Sequence, residues 1–168
     1  VNEDPVAAEE ARQAISRSAV RALQSMRRTV LPNSDPGDLS ARIRSAGEEL
    51  AELGYRVRCD AEVPTGLAPA SRAALEHVVT ESVTNVIKHG SCGGEVHIGL
   101  SADPEACTVT IRNSAPRNSA AADDPRNVIP GGGTGLRRLR EMLGCCGGTF
   151  TAGPAEQGWI VSARVPRD

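Results

Sequence analysis

Apolar residues along this chain alternate between helical and strand spacing, and the switches divide it into short, well-marked elements. From about Val6 to Val30, Ala11, Ile15, Ala19, Ala22, Met26 and Val30 recur three and four residues apart, which predicts one amphipathic helical arm. Pro32-Asn33-Ser34-Asp35-Pro36-Gly37 ends it. Such an arm cannot bury its stripe alone, so it is expected to pack on another helix, in a second chain or folded back on its own. A second helix begins after Asp38, a good cap, with Leu39, Ile43, Ala46, Leu50 and Leu53 on one face, and Gly54 stops it. Tyr55-Arg56-Val57-Arg58-Cys59 then alternates like a half-buried strand running toward Val63.

After a turn at Pro64-Thr65-Gly66, a long helix is expected from about Ala70 to His89, with Gly90 as its stop. Leu75, Val78, Val79, Val83, Val86 and Ile87 crowd one side, while Glu81, Asn85 and Lys88 fall on one stripe of the other. Two alternating segments, Glu95–Ser101 and Cys107–Asn113, read as a hairpin joined by Ala102-Asp103-Pro104-Glu105. Residues 114–132 are polar and rich in Pro, Asp, Asn and Gly, the profile of a functional lid or a disordered loop. Gly133-Thr134-Gly135-Leu136 opens another helix, with Leu136, Leu139, Met142 and Leu143 as its apolar positions. Strands at about Gly148–Ala152 and Trp159–Val165 close the chain as a second hairpin. Strands mostly in hairpins, with helices between them, predict an α+β fold: a two-layer sandwich of a mixed, mostly antiparallel sheet with helices on one face.

Composition narrows the possible functions. The chain has 168 residues, with 19 Lys and Arg against 21 Asp and Glu, so no strongly basic surface points to nucleic acid. Tyr55, Phe150 and Trp159 are the whole aromatic set, too few for base-stacking platforms. No apolar run is long enough to span a bilayer and no signal peptide is visible, so a cytoplasmic domain is expected. The first residue is Val, which suggests a fragment of a longer protein. The five cysteines, Cys59, Cys92, Cys107, Cys145 and Cys146, contain no CxxC pair and no regular framework. They read as reduced thiols serving mostly as small hydrophobes, in preference to a zinc site built from Cys92 and His97.

The chemistry concentrates in two places. A carboxylate, an amide and a cation one turn apart suit a magnesium nucleotide: Glu81 can hold or polarise an attacking group, Asn85 can offer an oxygen to the metal, and Lys88 can meet phosphate. An ordinary amphipathic helix with a solvated polar face fits the same stretch equally well. Glycines at the start of the 133–136 helix let backbone N–H groups approach an anion that the helix dipole favours. They form neither a Walker loop, lacking Gly-Lys-Ser/Thr, nor a dinucleotide fingerprint, since no strand runs directly into them.

Taken together, these segments resemble a known family. Glu81-Ser-Val-Thr-Asn85-Val-Ile-Lys88-His89 is similar to the asparagine box of the ATP-binding (Bergerat-type) domain shared by gyrase, Hsp90, histidine kinases and MutL. Gly133-Thr-Gly135-Leu136-Arg-Arg-Leu-Arg-Glu, followed by Leu143-Gly144 and Gly147-Gly148, resembles the later glycine box of sensor histidine kinases. The likeness covers roughly residues 38–166 and is nearest the nitrate- and membrane-fluidity-sensor subfamily. It implies a catalytic domain at 38–168 and a helical arm at 1–31 that is the second helix of a dimerisation domain. It also implies ATP and Mg2+ as cofactors, with Glu81 as the catalytic carboxylate beside the γ-phosphate and Asn85 as the magnesium ligand. Lys88 and His89 would contact phosphates or ribose, Gly133, Gly135 and Leu136 would form the phosphate-side glycine box, and Thr134 would cap its helix. Arg137 and Arg138 would add charge there or form a solvated face, and His77 reads as a surface or packing residue.

Two departures qualify the resemblance. The family's adenine-reading aspartate, in an Asp-x-Gly element, is matched here by Asn113, and its glycine by Ala115. The Asn113 carbonyl can still accept the adenine hydrogen bond, but without charge assistance, a loss of about 1 kcal/mol. The three histidines, His77, His89 and His97, include none on an exposed helix followed by an acidic residue, so the phosphoacceptor is expected upstream of Val1. The implied function is transfer of the ATP γ-phosphate to a histidine of the protein's own dimerisation domain, in a homodimer, and onward to a response regulator. Any membrane attachment would come from upstream regions. The alternatives are an anti-sigma-factor serine kinase of the same fold, or a degenerate module that folds and dimerises without turnover.

Overall fold

The computed structural model describes residues 38–62, 64, 66–90, 93–114, 135–156 and 158–167. Helix α1 (Leu39–Glu52) starts where the sequence places its cap: Asp38 Oδ1 accepts the Ala41 backbone N–H at 2.9 Å. That bond satisfies one of the donors every helix start leaves open. Beyond the last turn Gly54 sits at φ 87°, a left-handed conformation that costs glycine little.

Helix α2 (Pro69–His89) opens on Pro69, whose fixed φ suits a first helical position. Gly90 ends it, but not by taking a left-handed turn, since its φ is −72°. Space is the reason: a β-carbon on Gly90 would lie 2.5 Å from the Val86 carbonyl oxygen and 2.9 Å from the Tyr55 hydroxyl. That carbonyl accepts both the Gly90 N–H, at 2.6 Å, and the Tyr55 O–H, at 3.1 Å, so the end of α2 is tied to the start of the first strand.

Five strands form one sheet: β1 (Arg56–Ala61), β2 (Glu95–Ala102), β3 (Ala106–Ser114), β4 (Thr149–Ala155) and β5 (Gly158–Pro166). Their order is β1-β2-β3-β5-β4. Only β1 and β2 run parallel, with α2 as the crossover; the other neighbours are antiparallel. The sheet is therefore mixed and mostly antiparallel, as the hairpin pattern predicts. Helix α3 (Gly135–Cys145) lies between β3 and β4 in sequence. The predicted arm and residues 115–132 of the predicted lid fall outside the described residues, while Ser114 belongs to β3.

Register explains why one face is covered. Cys59, Ile98, Ile111, Val161 and Ala152 form one cross-strand row, and Ala61, Leu100, Val109, Ala163 and Phe150 form the next. Ile98, Ile111, Val109, Val161 and Ala163 are at most 3% exposed and face the buried stripes of the helices, among them Leu39, Leu50, Leu75, Val79 and Leu143. The opposite face carries rows such as Arg58, His97 and Arg112, and no helix among the described residues covers it. Each buried Leu, Ile or Val contributes roughly 1.5–3 kcal/mol, whereas an exposed pair such as Arg56–Glu95 (3.1 Å) contributes at most about 1 kcal/mol. The apolar layer holds the fold, and the surface pairs only trim it. Strand β4 runs past its expected end through Pro154, which is tolerated because β4 is an edge strand and needs no N–H there. Among the described residues, no helix is long and apolar enough to cross a membrane.

Candidate nucleotide site

Helix α2 carries the first half of the site. Val78, Val79, Val83, Val86 and Ile87 are 0–6% exposed, which fixes the rotation of the helix. Glu81 and Asn85 therefore lie half-buried at the border of the core, and Lys88 and His89 stand exposed at the C-terminal end. A second set of bonds locks the helix upstream. Arg42 Nε on α1 donates to Thr80 Oγ1 at 3.0 Å, Thr80 Oγ1 donates to the Glu76 carbonyl at 2.9 Å, and Thr84 Oγ1 donates to the Thr80 carbonyl at 3.0 Å. A polar stripe pinned from both sides can hold groups in place, which a freely solvated face cannot.

The second half is the start of α3. Leu139 and Leu143, 5% and 0% exposed, anchor this helix, leaving Gly135 as its first residue. The structure places Glu81 directly against that glycine. A β-carbon on Gly135 would lie 2.5 Å from Glu81 Oε1 and 3.2 Å from Glu81 Cδ. The carboxylate thus sits beside a helix N-terminus, where the dipole favours negative charge. The helix stripe and the glycine box, far apart in sequence, meet here.

The remaining candidates divide. Leu136 is half-buried on α3, next to Gly135, whereas Gly133 and Thr134 lie outside the described residues. Asn113 sits near the end of β3, in the cross-strand row that contains Val96 and Trp159. A side chain on Gly158 would collide with the Asn113 backbone, so glycine there lets β5 pass close to Asn113. A cleft of about 880 Å³ opens at this end of the sheet, among Arg112, Asn113, Ser114 and Trp159. Among the described residues, Asn113 is the only predicted site residue on its wall, and Glu81, Asn85 and Lys88 do not border it. Arg137 makes an i,i+4 pair with Glu141 (3.7 Å) on a largely solvated face, and Arg138 and His77 are exposed.

Sequence reasoning passed over several residues that shape the surroundings. Glu76 Oε1 and Ser82 Oγ are buried without a hydrogen-bond partner among the described residues, and burial raises the Glu76 carboxyl above its ordinary value. The spacing of Glu76, Thr80 and Thr84, one turn apart, was the available signal. On the open face, Asp60 Oδ2 meets both His97 Nε2 and Arg58 Nε at 2.8 Å, and these contacts hold Asp60 below the usual carboxylate range. The hydrogen bond to His97 is the larger cause.

The donor set fits a magnesium nucleotide. The Asn85 amide and Glu81 carboxylate supply hard oxygens suited to magnesium, and the Glu81 oxygen fills the space a β-carbon would take at Gly135, at a helix start whose dipole favours negative charge.

Comparison with known proteins agrees with this fold. Residues 38–143, well over half of the chain, match the histidine kinase-like ATPase domain family. No curated protein matches. Among solved structures, the histidine kinase domain of the blue-light activated histidine kinase EL346 from Erythrobacter litoralis superposes with a TM-score of 0.55 at 18% identity, covering 92% of this chain and 75% of that one. A histidine kinase from Acinetobacter baumannii, AdeS, gives 0.56 at 16% identity, covering 100% and 87%. The catalytic domain of the histidine kinase ThkA gives 0.59 at 19% identity, covering 77% and 95%. At these identities the likeness speaks for the fold.

Proposed function

The chain belongs to the histidine kinase-like ATPase domain family, and from that premise we propose that it is the ATP-binding catalytic domain of a sensor histidine kinase. In this reading it binds Mg-ATP and transfers the γ-phosphate to a histidine of a dimerisation domain in a homodimer, for relay to a response regulator. The observation that carries the proposal is the closeness of Glu81 to Gly135, because it joins the polar helix stripe to the glycine helix start at one place.

Each residue has a definable task. Asn85 would hold magnesium through its amide oxygen, and the ion would neutralise phosphate charge when bound with the nucleotide. Backbone at Gly135 and Leu136 would face the phosphates, with the α3 dipole adding to the attraction. Gly133 and Thr134 extend the same element in sequence. Lys88 and His89, at the cationic end of α2, would contact phosphate or ribose. Glu81 would accept or orient the proton of the attacking imidazole. Little covalent chemistry is asked of the protein, so positioning and electrostatics supply most of the rate. Asn113 would read the adenine amino group through its carbonyl, giving binding that is weak but present.

The apolar periodicity of residues 1–31 supports reading them as part of the dimerisation domain, and the short-domain subfamily of nitrate sensors is the nearest pattern. The test is chemical. With Mg-ATP and a dimerisation hairpin that carries the histidine, the chain should produce phosphate that is acid-labile and base-stable. Base-labile, acid-stable phosphate would instead assign serine transfer, and no phosphate on any acceptor would assign a module without turnover.

A further inference from the structure

Strand β1 is an edge strand, hydrogen-bonded among the described residues only to β2. Arg56 N–H donates to the Gly94 carbonyl at 2.9 Å, which fixes the phase of that parallel ladder. Arg56, Arg58 and Asp60 therefore turn their backbone groups toward β2, and Val57, Cys59 and Ala61 turn theirs outward. A row of outward N–H and C=O groups is a template for another strand, and proteins commonly protect such edges with charge.

The charges on this edge are not of the protective kind. Arg56, Arg58 and Asp60 on the strand, and Glu62 one residue beyond its end, all have the same parity and all are exposed. Two cations precede Cys59 and two anions follow it, so the pattern is antisymmetric about that residue. We propose that β1 pairs antiparallel with β1 of a second copy of this chain, about a two-fold axis through Cys59. Only outward-turned residues can form hydrogen-bonded pairs, so the registers with a full ladder differ by steps of one residue in the position of the axis. With the axis at Cys59, Arg58 faces the second copy's Asp60 and Arg56 faces its Glu62, each twice by symmetry. Moving the axis to position 58 sets Arg58 against itself, and moving it to position 60 sets Asp60 against itself. The register at Cys59 is the one of these three without a like-charge opposition, and such pairs govern strand pairing.

The space beside the strand fits the same occupant. A groove of about 460 Å³ runs between β1 and α1, with Ile43, Gly47, Ala51, Val57, Cys59 and Ala61 in its lining. Gly47 lies so close to Cys59 that a β-carbon there would come 2.7 Å from its Sγ, so the floor of the groove is lined by small groups. The second copy would present Val57, Cys59 and Ala61 on this side. All are small enough to enter without moving α1.

The proposal is independent of the nucleotide reading, since none of its residues belongs to that site. It is tested by cross-linking the whole chain with a short bismaleimide and mapping the product by mass spectrometry. In this register the two Cys59 residues form a hydrogen-bonded pair with Cα atoms about 5.5 Å apart, so a Cys59–Cys59 link is expected. Arg58→Asp turns two attractive cross-strand pairs repulsive and should cut the yield about tenfold. The exchange Arg58→Asp with Asp60→Arg restores the complementarity and should return the yield to within about twofold of the original. Because both side chains are exposed, thermal unfolding should show that all variants fold. A dimer formed anywhere else would give no link at Cys59. The proposal is overturned if the unaltered chain gives no Cys59–Cys59 link, or if the exchanged pair links no better than the Arg58→Asp variant alone.

Discussion

Glu81 occupies the space that Gly135 leaves open: a β-carbon on the glycine would lie 2.5 Å from the carboxylate oxygen. One residue comes from the polar stripe of α2 and the other begins α3. Their contact brings two sequence signals, a polar helix face and a glycine run, to one place. The carboxylate lies beside a helix N-terminus, so any anion drawn to the α3 dipole must arrive next to Glu81.

Replacing Gly135 with alanine should therefore separate function from stability. The new methyl meets the flexible end of a half-buried side chain, which can swing away, and alanine favours a helix over glycine by up to about 1 kcal/mol. The unfolding midpoint should stay within what about 1 kcal/mol produces, while phosphotransfer falls at least roughly tenfold as Glu81 is displaced. Thermal unfolding and turnover measured on the same preparation check both halves.

Leu143→Ala should act in the opposite way. Leu143 is fully buried, and its carbonyl accepts the N–H groups of Cys146 and Gly148, at 3.0 and 2.8 Å, that turn the chain from α3 into β4. Truncation removes packing and leaves a cavity, at a cost of about 2–5 kcal/mol. Denaturant titration should show a lower midpoint with an unchanged slope.

Much of this architecture was legible from spacing alone. Alternation in Glu95–Ser101 and Cys107–Asn113 located the β2–β3 hairpin, and Asp38 and Gly54 bracketed α1, because caps, turns and period are local properties. The parallel pairing of β1 with β2 was not legible, since it is set by α2 crossing the sheet rather than by either strand. Gly90 marks the end of α2 in the sequence, but the cause, contact with Val86 and Tyr55, is tertiary and carries no local signal. The Glu81–Gly135 contact depends on how α2 and α3 settle on one sheet, and periodicity carries no such distance. The Asp60–His97 pair was invisible for the same reason: it arises from cross-strand register.

Acid should weaken the β2–β3 corner. Asp103 Oδ1 accepts the Ala106 and Glu105 N–H groups at 2.7 and 2.9 Å, and Oδ2 accepts from Arg164 Nη1 at 2.9 Å. The Arg164 bond, then the two backbone bonds, hold its carboxyl below the ordinary value. A folded-state pKa below the unfolded one adds stability that is full above the unfolded value and is lost as pH falls through the folded value. Asp103→Asn should therefore unfold at lower temperature than the native chain at neutral pH, and the gap should close as pH drops below the ordinary aspartate range. Thermal melts across that range provide the check.

Asn113→Asp should strengthen adenine recognition. A charged acceptor makes a stronger hydrogen bond to the adenine amino group, a gain of about 1 kcal/mol or roughly fivefold in affinity. Titration with ATP and with GTP checks it, because only the adenine nucleotide has the amino group at that position. An equal gain for both would place Asn113 away from the base.

The most direct test of the nucleotide site is a calorimetric titration of this chain with Mg-ATP beside an Asn85→Ala variant. Asn85 is half-buried one turn from Glu81, so the substitution removes a proposed metal ligand without opening the core. The native chain should bind at submillimolar Mg-ATP, and the variant should bind at least about tenfold more weakly, as expected for loss of a metal ligand. Failure of the native chain to bind at millimolar Mg-ATP, or equal binding by the two proteins, would contradict a magnesium-nucleotide site on α2.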